Sequence, residues 1–214
     1  MAGQNVRRVV TGHDAQGRAV VVSDSVPPHV TRPPHQPGLA FHELWNTRAC
    51  PAPVTATEPE PTDLHRDTAP PAQGTVIRIV DIPPEGPDGP DFDKATAEAL
   101  FAQVGLAENA EHTIPGRHPL MHRTQSIDYA VVLDGQIVLL LDEEEVVLER
   151  GDVVVQRGTI HAWTNRTDSI TRMLFVLTDG IFDADLAQAQ RANDERVKQA
   201  ARVDRSLPGA GSPP

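Results

Sequence analysis

The sequence predicts an all-β chain built from antiparallel strands, and two observations carry that prediction. Six short runs rich in β-branched residues follow one another between Ser126 and Asp179, with no segment between them long enough to form a crossover helix. Fifteen of the 20 prolines lie between Pro27 and Pro90, a stretch that cannot supply the centre of a sheet because proline has no N–H to donate. The core is therefore expected downstream of the prolines.

In chain order, Val6 to Thr11 and Arg18 to Ser23 read as two strands around the turn HDAQG, where Asp14 and Gly17 are the turn formers. LAFHELWNT, 39–47, reads as a third strand. TEPEPTDLHRDTAPPAQG, 57–74, is low in apolar residues and reads as an exposed connection. TVIRIVDI, 75–82, is a strand by its β-branched content. Over 92–104, FDKATAEALFAQV fits a helix with Asp91 as N-cap and Gly105 beyond its end. Its residues Ala97, Leu100, Phe101 and Val104 fall on one stripe. The six strands follow as SIDYAVVL, QIVLLLD, EVVLER, DVVVQRG, IHAWTN and SITRMLFVLTD. A polar helix over 182–206, held by Leu186 and Val197, and a disordered LPGAGSPP complete the chain. The organisation expected is an N-terminal strand extension (1–56), a connection (57–74), a β-domain with an inserted helix (75–180) and a C-terminal helix with tail (181–214).

Charge and composition exclude some functions. A formal charge of −11 disfavours nucleic acid or an anionic membrane as partner and points to a small molecule. The first residues lack a continuous apolar segment, and no run approaches a membrane span, so a cytoplasmic location is expected. The single cysteine, Cys50, rules out an intramolecular disulfide and any multi-cysteine metal site.

The stretch GRHPLMHRTQSIDYAVVLDG, 116–135, places His122, Thr124, Ser126 and Asp128 at alternate positions, hence on one face of an extended strand. A second polar cluster, RGTIHAWTN, places His161 at the start of another strand. Two histidines and a carboxylate on adjacent strands are the ligand set of a facial triad with open coordination positions. The same groups in a partly dry cavity also make an acid–base set tuned towards neutral pH.

These spacings resemble the two motifs of the cupin superfamily. Gly116, His122, Thr124, Asp128 and Gly135 are similar to G-x5-H-x-H-x3-E-x6-G, with threonine and aspartate in place of a histidine and the glutamate. Gly151, Gly158, His161 and Asn165 are similar to G-x5-P-x-G-x2-H-x3-N, one residue shorter and without the proline. The resemblance covers 116–165 and implies a small single-domain jelly-roll barrel with N-terminal strands, a site in its mouth and a homodimeric state. It implies a divalent metal (Fe, Mn, Ni or Zn) on His122, Asp128 and His161, the same three being catalytic, with Thr124, Ser126, Tyr129 and Trp163 binding substrate. The function implied is a metal-dependent enzyme acting on a small organic or carboxylic-acid-like metabolite, as decarboxylase, isomerase, lyase or dioxygenase. Metal-free acid–base catalysis and ligand binding without turnover are the alternatives. His118 is a candidate extra ligand, His42 and Trp45 are candidate lid residues, and Asn165 is expected to tie a turn. The acidic run of LDEEEVVLER is expected to be a solvated hairpin tip.

Overall fold

In the computed structural model, which describes residues 5–34, 36–86, 94–106 and 118–206, eleven strands and two helices are present among the described residues. The strands are β1 (Arg8–His13), β2 (Ala19–Ser25), β3 (His29–Thr31), β4 (Ala40–Thr47), β5 (Thr75–Ile82), β6 (Ser126–Asp134), β7 (Gln136–Leu140), β8 (Glu145–Glu149), β9 (Val153–Arg157), β10 (Ala162–Thr164) and β11 (Thr171–Asp179). The helices are α1 (Lys94–Gln103) and α2 (Ala184–Ser206). No described helix is long and apolar enough to cross a membrane. The expected N-cap of α1, Gly116 of the first motif and the tail LPGAGSPP lie outside the described residues.

All pairings are antiparallel. A six-stranded sheet in the order β3-β4-β5-β11-β6-β9 faces a three-stranded sheet in the order β10-β7-β8, and β1 and β2 form a separate hairpin. The β6–β7 turn needs Gly135, whose φ is +86° and where a Cβ would approach Thr171 Oγ1 to 2.7 Å. One hydrophobic layer fills the space between the sheets, with Ala130, Val132 and Met173 from the large sheet against Ile137, Leu139 and Leu148 from the small one. A second layer packs α1 onto the large sheet. Leu100, Phe101 and Val104 meet Leu39 and Val80, and the fourth residue of the expected stripe, Ala97, is buried too.

The segment expected to be an exposed connection is instead partly structural. A 3-10 turn at Pro61–Asp63 is buried at Pro61 and Thr62, and Asn46 donates through Nδ2 to the carbonyls of Pro61 (2.9 Å) and His65 (3.0 Å). Thr68 donates its N–H and hydroxyl to the orphan carbonyl of Val104 just past α1. Low apolar content did not leave the segment in solvent, because its own backbone carbonyls are what the neighbouring side chains hold. Of the two residues expected to hold the C-terminal helix, Leu186 is largely exposed and Val197 is half-buried, and polar tethers join them, including the Arg123–Asp194 ion pair (2.9 Å) and Gln190 donating to the carbonyl of Gly158.

Candidate active site

One cross-strand contact builds the polar end of the site. His122 and His161 form an isolated antiparallel bridge, each backbone N–H donating to the other's carbonyl at 2.9 Å. Residues in such a reciprocal pair project to the same side, and the two imidazoles stand with ring centroids 4.3 Å apart. Each ring is then oriented by its own backbone. His122 Nδ1 donates to the carbonyl of Leu120 (2.8 Å), and His161 Nδ1 donates to that of Thr159 (3.0 Å). A carbonyl can only accept, so both rings carry their proton on Nδ1 and present an Nε2 lone pair. Burial pushes both imidazoles below their ordinary range, His161 well below it with the neighbouring His122 adding to the effect, so both are neutral at pH 7.

The inner face of β6 continues the site. Asp128 is buried, its Oδ1 has no hydrogen-bond partner, and desolvation raises its carboxyl to about 6. Thr124 and Ser126, both buried, share a hydrogen bond of 2.7 Å.

All of these but Ser126 line one cavity of about 140 Å³, whose remaining wall is mostly apolar and aromatic and also carries Arg78 and Thr68. His122, Thr124, Asp128, His161 and Trp163 reach it, together with Phe101 of α1 and Phe175 of β11. The rings form a chain around it, from Phe101 to His122 (5.7 Å), His161 to Trp163 (5.8 Å) and Trp163 to Phe175 (5.5 Å). A cavity of ~150 Å³ with apolar walls holds a molecule the size of benzene.

Several expected roles change. Tyr129 is on the opposite face of β6 and 44% exposed, since side chains alternate along a strand; it cannot line the cavity. Ser126 stands beside Thr124 and does not itself line the cavity. Among the described residues no group of three His, Cys, Asp or Glu side chains stands together as a metal ligand set. Aspartate has one methylene less of reach, ~1.5 Å, than the glutamate of the motif, and the threonine at the motif's second histidine position shares its hydroxyl with Ser126. His118 is buried but is no cavity ligand. Leu120 N–H donates to its Nδ1, and its Nε2 donates to Glu85 at 2.9 Å. His42 is no lid: it projects from the outer face of the sheet and bonds Asp81 (3.1 Å), which also takes two bonds from Arg172. Trp45 shares that outer face and carries the Arg8 guanidinium over its ring. Asn165 does tie its turn, donating to Ile82 and Ser169 carbonyls while accepting from Thr167.

Two site features were not anticipated. Phe101 belongs to the α1 stripe, which signals burial but not what it is buried against. Arg78, on the inner face of β5, is buried with Glu43 (3.1 Å) and donates to the Thr68 hydroxyl and to the carbonyls of Arg66 and Asp67. Its position among β-branched neighbours in TVIRIVDI is the signal that was available, because alternation puts it on the side of Val76 and Val80.

A family model described as "Cupin domain" matches residues 110–177. Phomopsin biosynthesis cluster protein C' of Diaporthe leptostromiformis is 35% identical over 178 residues, which cover 79% of this chain and 76% of that protein. The cupin-domain-containing oxidoreductase fogC of Aspergillus ruber is 30% identical over 178 residues, covering 81% and 72% respectively. The cupin-domain-containing oxidoreductase virC of Hypocrea virens is 27% identical over 176 residues, covering 80% and 75%. The bridge that pairs His122 with His161 joins the two stretches that carry the family's motifs, and the chain belongs to the cupin family.

Proposed function

We propose that the chain is a cupin enzyme that transfers a proton to or from a small, largely apolar, ring-sized metabolite, with Asp128 as the acid–base group. The observation that carries this reading is the Asp128 carboxyl, buried without a partner for Oδ1 and raised to about 6, in the same cavity as two neutral imidazoles. A group whose pKa lies near the working pH is the efficient proton carrier. Above pH 6 the carboxylate takes a proton from the substrate, such as one on carbon beside a carbonyl, and returns it after rearrangement. The Nε2 atoms of His122 and His161 accept hydrogen bonds from a substrate hydroxyl and hold it in place. Because the Nε2 atoms of both imidazoles are acceptors and the Arg78 guanidinium on the same lining is already paired with Glu43, the polar wall favours a neutral donor such as a phenol or enol over a carboxylate.

The relatives support an enzyme of small-molecule biosynthesis, two of those named above being called oxidoreductases and one a biosynthesis cluster protein. Where the net reaction is an oxidation, proton transfer is the part these residues carry.

Binding of phenol, anisole and benzoate, followed by calorimetry, tests the site. Phenol is expected to bind, anisole more weakly for want of a donor, and benzoate least, with phenol affinity reduced in His161→Ala. Benzoate binding in preference to phenol would overturn the assignment. Elemental analysis of untagged protein tests the chemistry separately. A stoichiometric divalent metal that is lost in both His122→Ala and His161→Ala would replace the acid–base reading with a metal-dependent one.

A further inference from the structure

Two side chains that line the cavity each hold a buried polar atom with no hydrogen-bond partner, Nε of Arg78 and Oδ1 of Asp128. The first is a donor and the second an acceptor. Buried polar groups are paired in the great majority of cases, so an unpaired one on a cavity wall points to a ligand as the missing partner. Acid–base chemistry at Asp128 accounts for one of the two and leaves the Arg78 N–H unexplained.

The rest of the Arg78 guanidinium is fixed. Nη1 donates to the Thr68 hydroxyl (2.8 Å), and Nη2 donates to the carbonyls of Arg66 (3.2 Å) and Asp67 (2.9 Å) and pairs with Glu43 (3.1 Å). Both terminal nitrogens are committed to the fold, and Nε–H is the donor left over. Strand register sets where it stands. Arg78 is opposite Phe175, Asp128 is opposite Leu177, and β11 runs between β5 and β6. Phe175 and Leu177 share the inner face and line the cavity, with the arginine on one flank and the aspartate on the other. Two interstrand spacings separate the flanking strands by about 10 Å, a gap that a ring-sized molecule and the two side chains bridge. Because Glu43 offsets the arginine's charge, the N–H suits a neutral carbonyl oxygen.

On the basis of the acid–base reading, we propose that Arg78 is a further catalytic residue of the same site, its Nε–H donating to a substrate carbonyl while Asp128 takes a proton from the adjacent carbon. The substrate class this defines is a hydroxylated cyclic ketone or enone, its hydroxyl on the imidazoles and its carbonyl on Arg78. In the step, the C–H bond breaks and its proton bonds to the Asp128 carboxylate. The C–H electron pair becomes a C=C bond, and the C=O π pair moves to oxygen, where Arg78 holds the enolate. The carboxylic acid then returns the proton to carbon, so no oxidant or reductant is consumed. A fixed donor aimed at the oxygen where charge develops stabilises the transition state more than the ground state.

Calorimetry with 4-hydroxycyclohexanone and cyclohexanol, which share ring and hydroxyl and differ in the carbonyl, tests the assignment. The parent protein is expected to bind the hydroxyketone about tenfold more tightly, the worth of one hydrogen bond to a buried donor. Arg78→Lys, which keeps a cation for Glu43 but has no Nε–H, is expected to hold cyclohexanol and lose the preference. Should that variant misfold by circular dichroism, Glu43→Met with Arg78→Met is expected to give the same result, since removing both charges strands neither. Deuterium uptake beside the carbonyl, read by NMR at saturating hydroxyketone, tests the step. Exchange is expected in the parent protein, ~10²–10⁴-fold slower in Asp128→Asn and ~10²–10³-fold slower in the Arg78 variant. Equal affinity for the two ligands, or a preference or exchange rate that survives in the Arg78 variant, would overturn the role of Arg78 and leave the acid–base reading standing. A parent protein that binds neither ligand or exchanges no deuterium, or exchange undiminished in Asp128→Asn, would overturn that reading and the proposal with it.

Discussion

On β6 the usual relation between sides and solvent is reversed over half the strand. Ser126 and Asp128 point into the fold, while Ile127 and Tyr129 point out of it. On the same strand Ala130 and Val132 face inward in the ordinary way and join the intersheet core. The inner polar half serves the cavity, and a buried carboxylate there costs stability that a hydrophobic residue would not. The outer apolar half leaves surface uncovered that water disfavours. Alternation along one strand thus serves two purposes, and each can be broken without the other.

The largest effect is expected inside. Asp128→Asn should lower turnover by ~10²–10⁴-fold if the carboxyl carries the proton, read as kcat on the substrate once a phenol-type screen supplies one. The outer variant Tyr129→Arg should leave kcat per folded chain unchanged. Loss of turnover in both variants would break the separation of the two faces.

Next in size is the buried pair on the neighbouring inner face. Burial pushes the Glu43 carboxyl up and the Arg78 guanidinium down, against their mutual attraction. Glu43→Ala should cost ~3–5 kcal/mol in denaturant unfolding because it strands a buried cation, whereas replacing both partners with apolar residues of similar volume should cost much less.

A smaller effect sharpens the inner side through pH. Asp128 titrates near 6 when folded against an ordinary 3.8, so the folded state holds the proton more tightly. Its contribution is complete below 3.8 and is lost as pH rises through 6, about 3 kcal/mol in all. Asp128→Asn should therefore gain up to ~2 kcal/mol over the parent protein above pH 6, while losing activity. The two imidazoles work in the opposite sense. Their folded pKa values are lowered, so stability falls as pH drops below about 6.5, where the unfolded chain takes up protons that the folded chain refuses. Smallest of all, Ser126→Ala should cost ~1 kcal/mol through its bond to Thr124 and should raise the Asp128 carboxyl further, because Ser126 also bonds that carboxylate.

Much of this was legible in the sequence. The strand at Thr75–Ile82 and the succession from Ser126 to Asp179 followed from β-branched runs and turn residues, and the inward set on β6 followed from alternation. Residues 122–124 were expected in the same strand but precede it, and the bridge to His161 fixes His122 beside the second motif. What the sequence left hidden depends on partners distant along the chain. Nothing near Arg78 announces that the carbonyls of Arg66 and Asp67 will receive it, and nothing in Tyr129 distinguishes a pocket aromatic from an outward one except register. His42 illustrates the same point, since its partner Asp81 is 39 residues away.

The irregularity in β4 between Glu43 and Trp45 has a consequence of its own. Leu44 is the extra residue, and it acts as a phase slip. Glu43 faces Arg78 inside, Trp45 is turned outward over Ile77, and Asn46 returns inward to grip the carbonyls of Pro61 and His65. Straightening the bulge, so that Leu44 entered the ladder as an ordinary residue, would be a frameshift in space, exchanging the sides of everything after it, so that a tryptophan would enter the floor of the fold and the amide that fastens the proline-rich segment would face solvent.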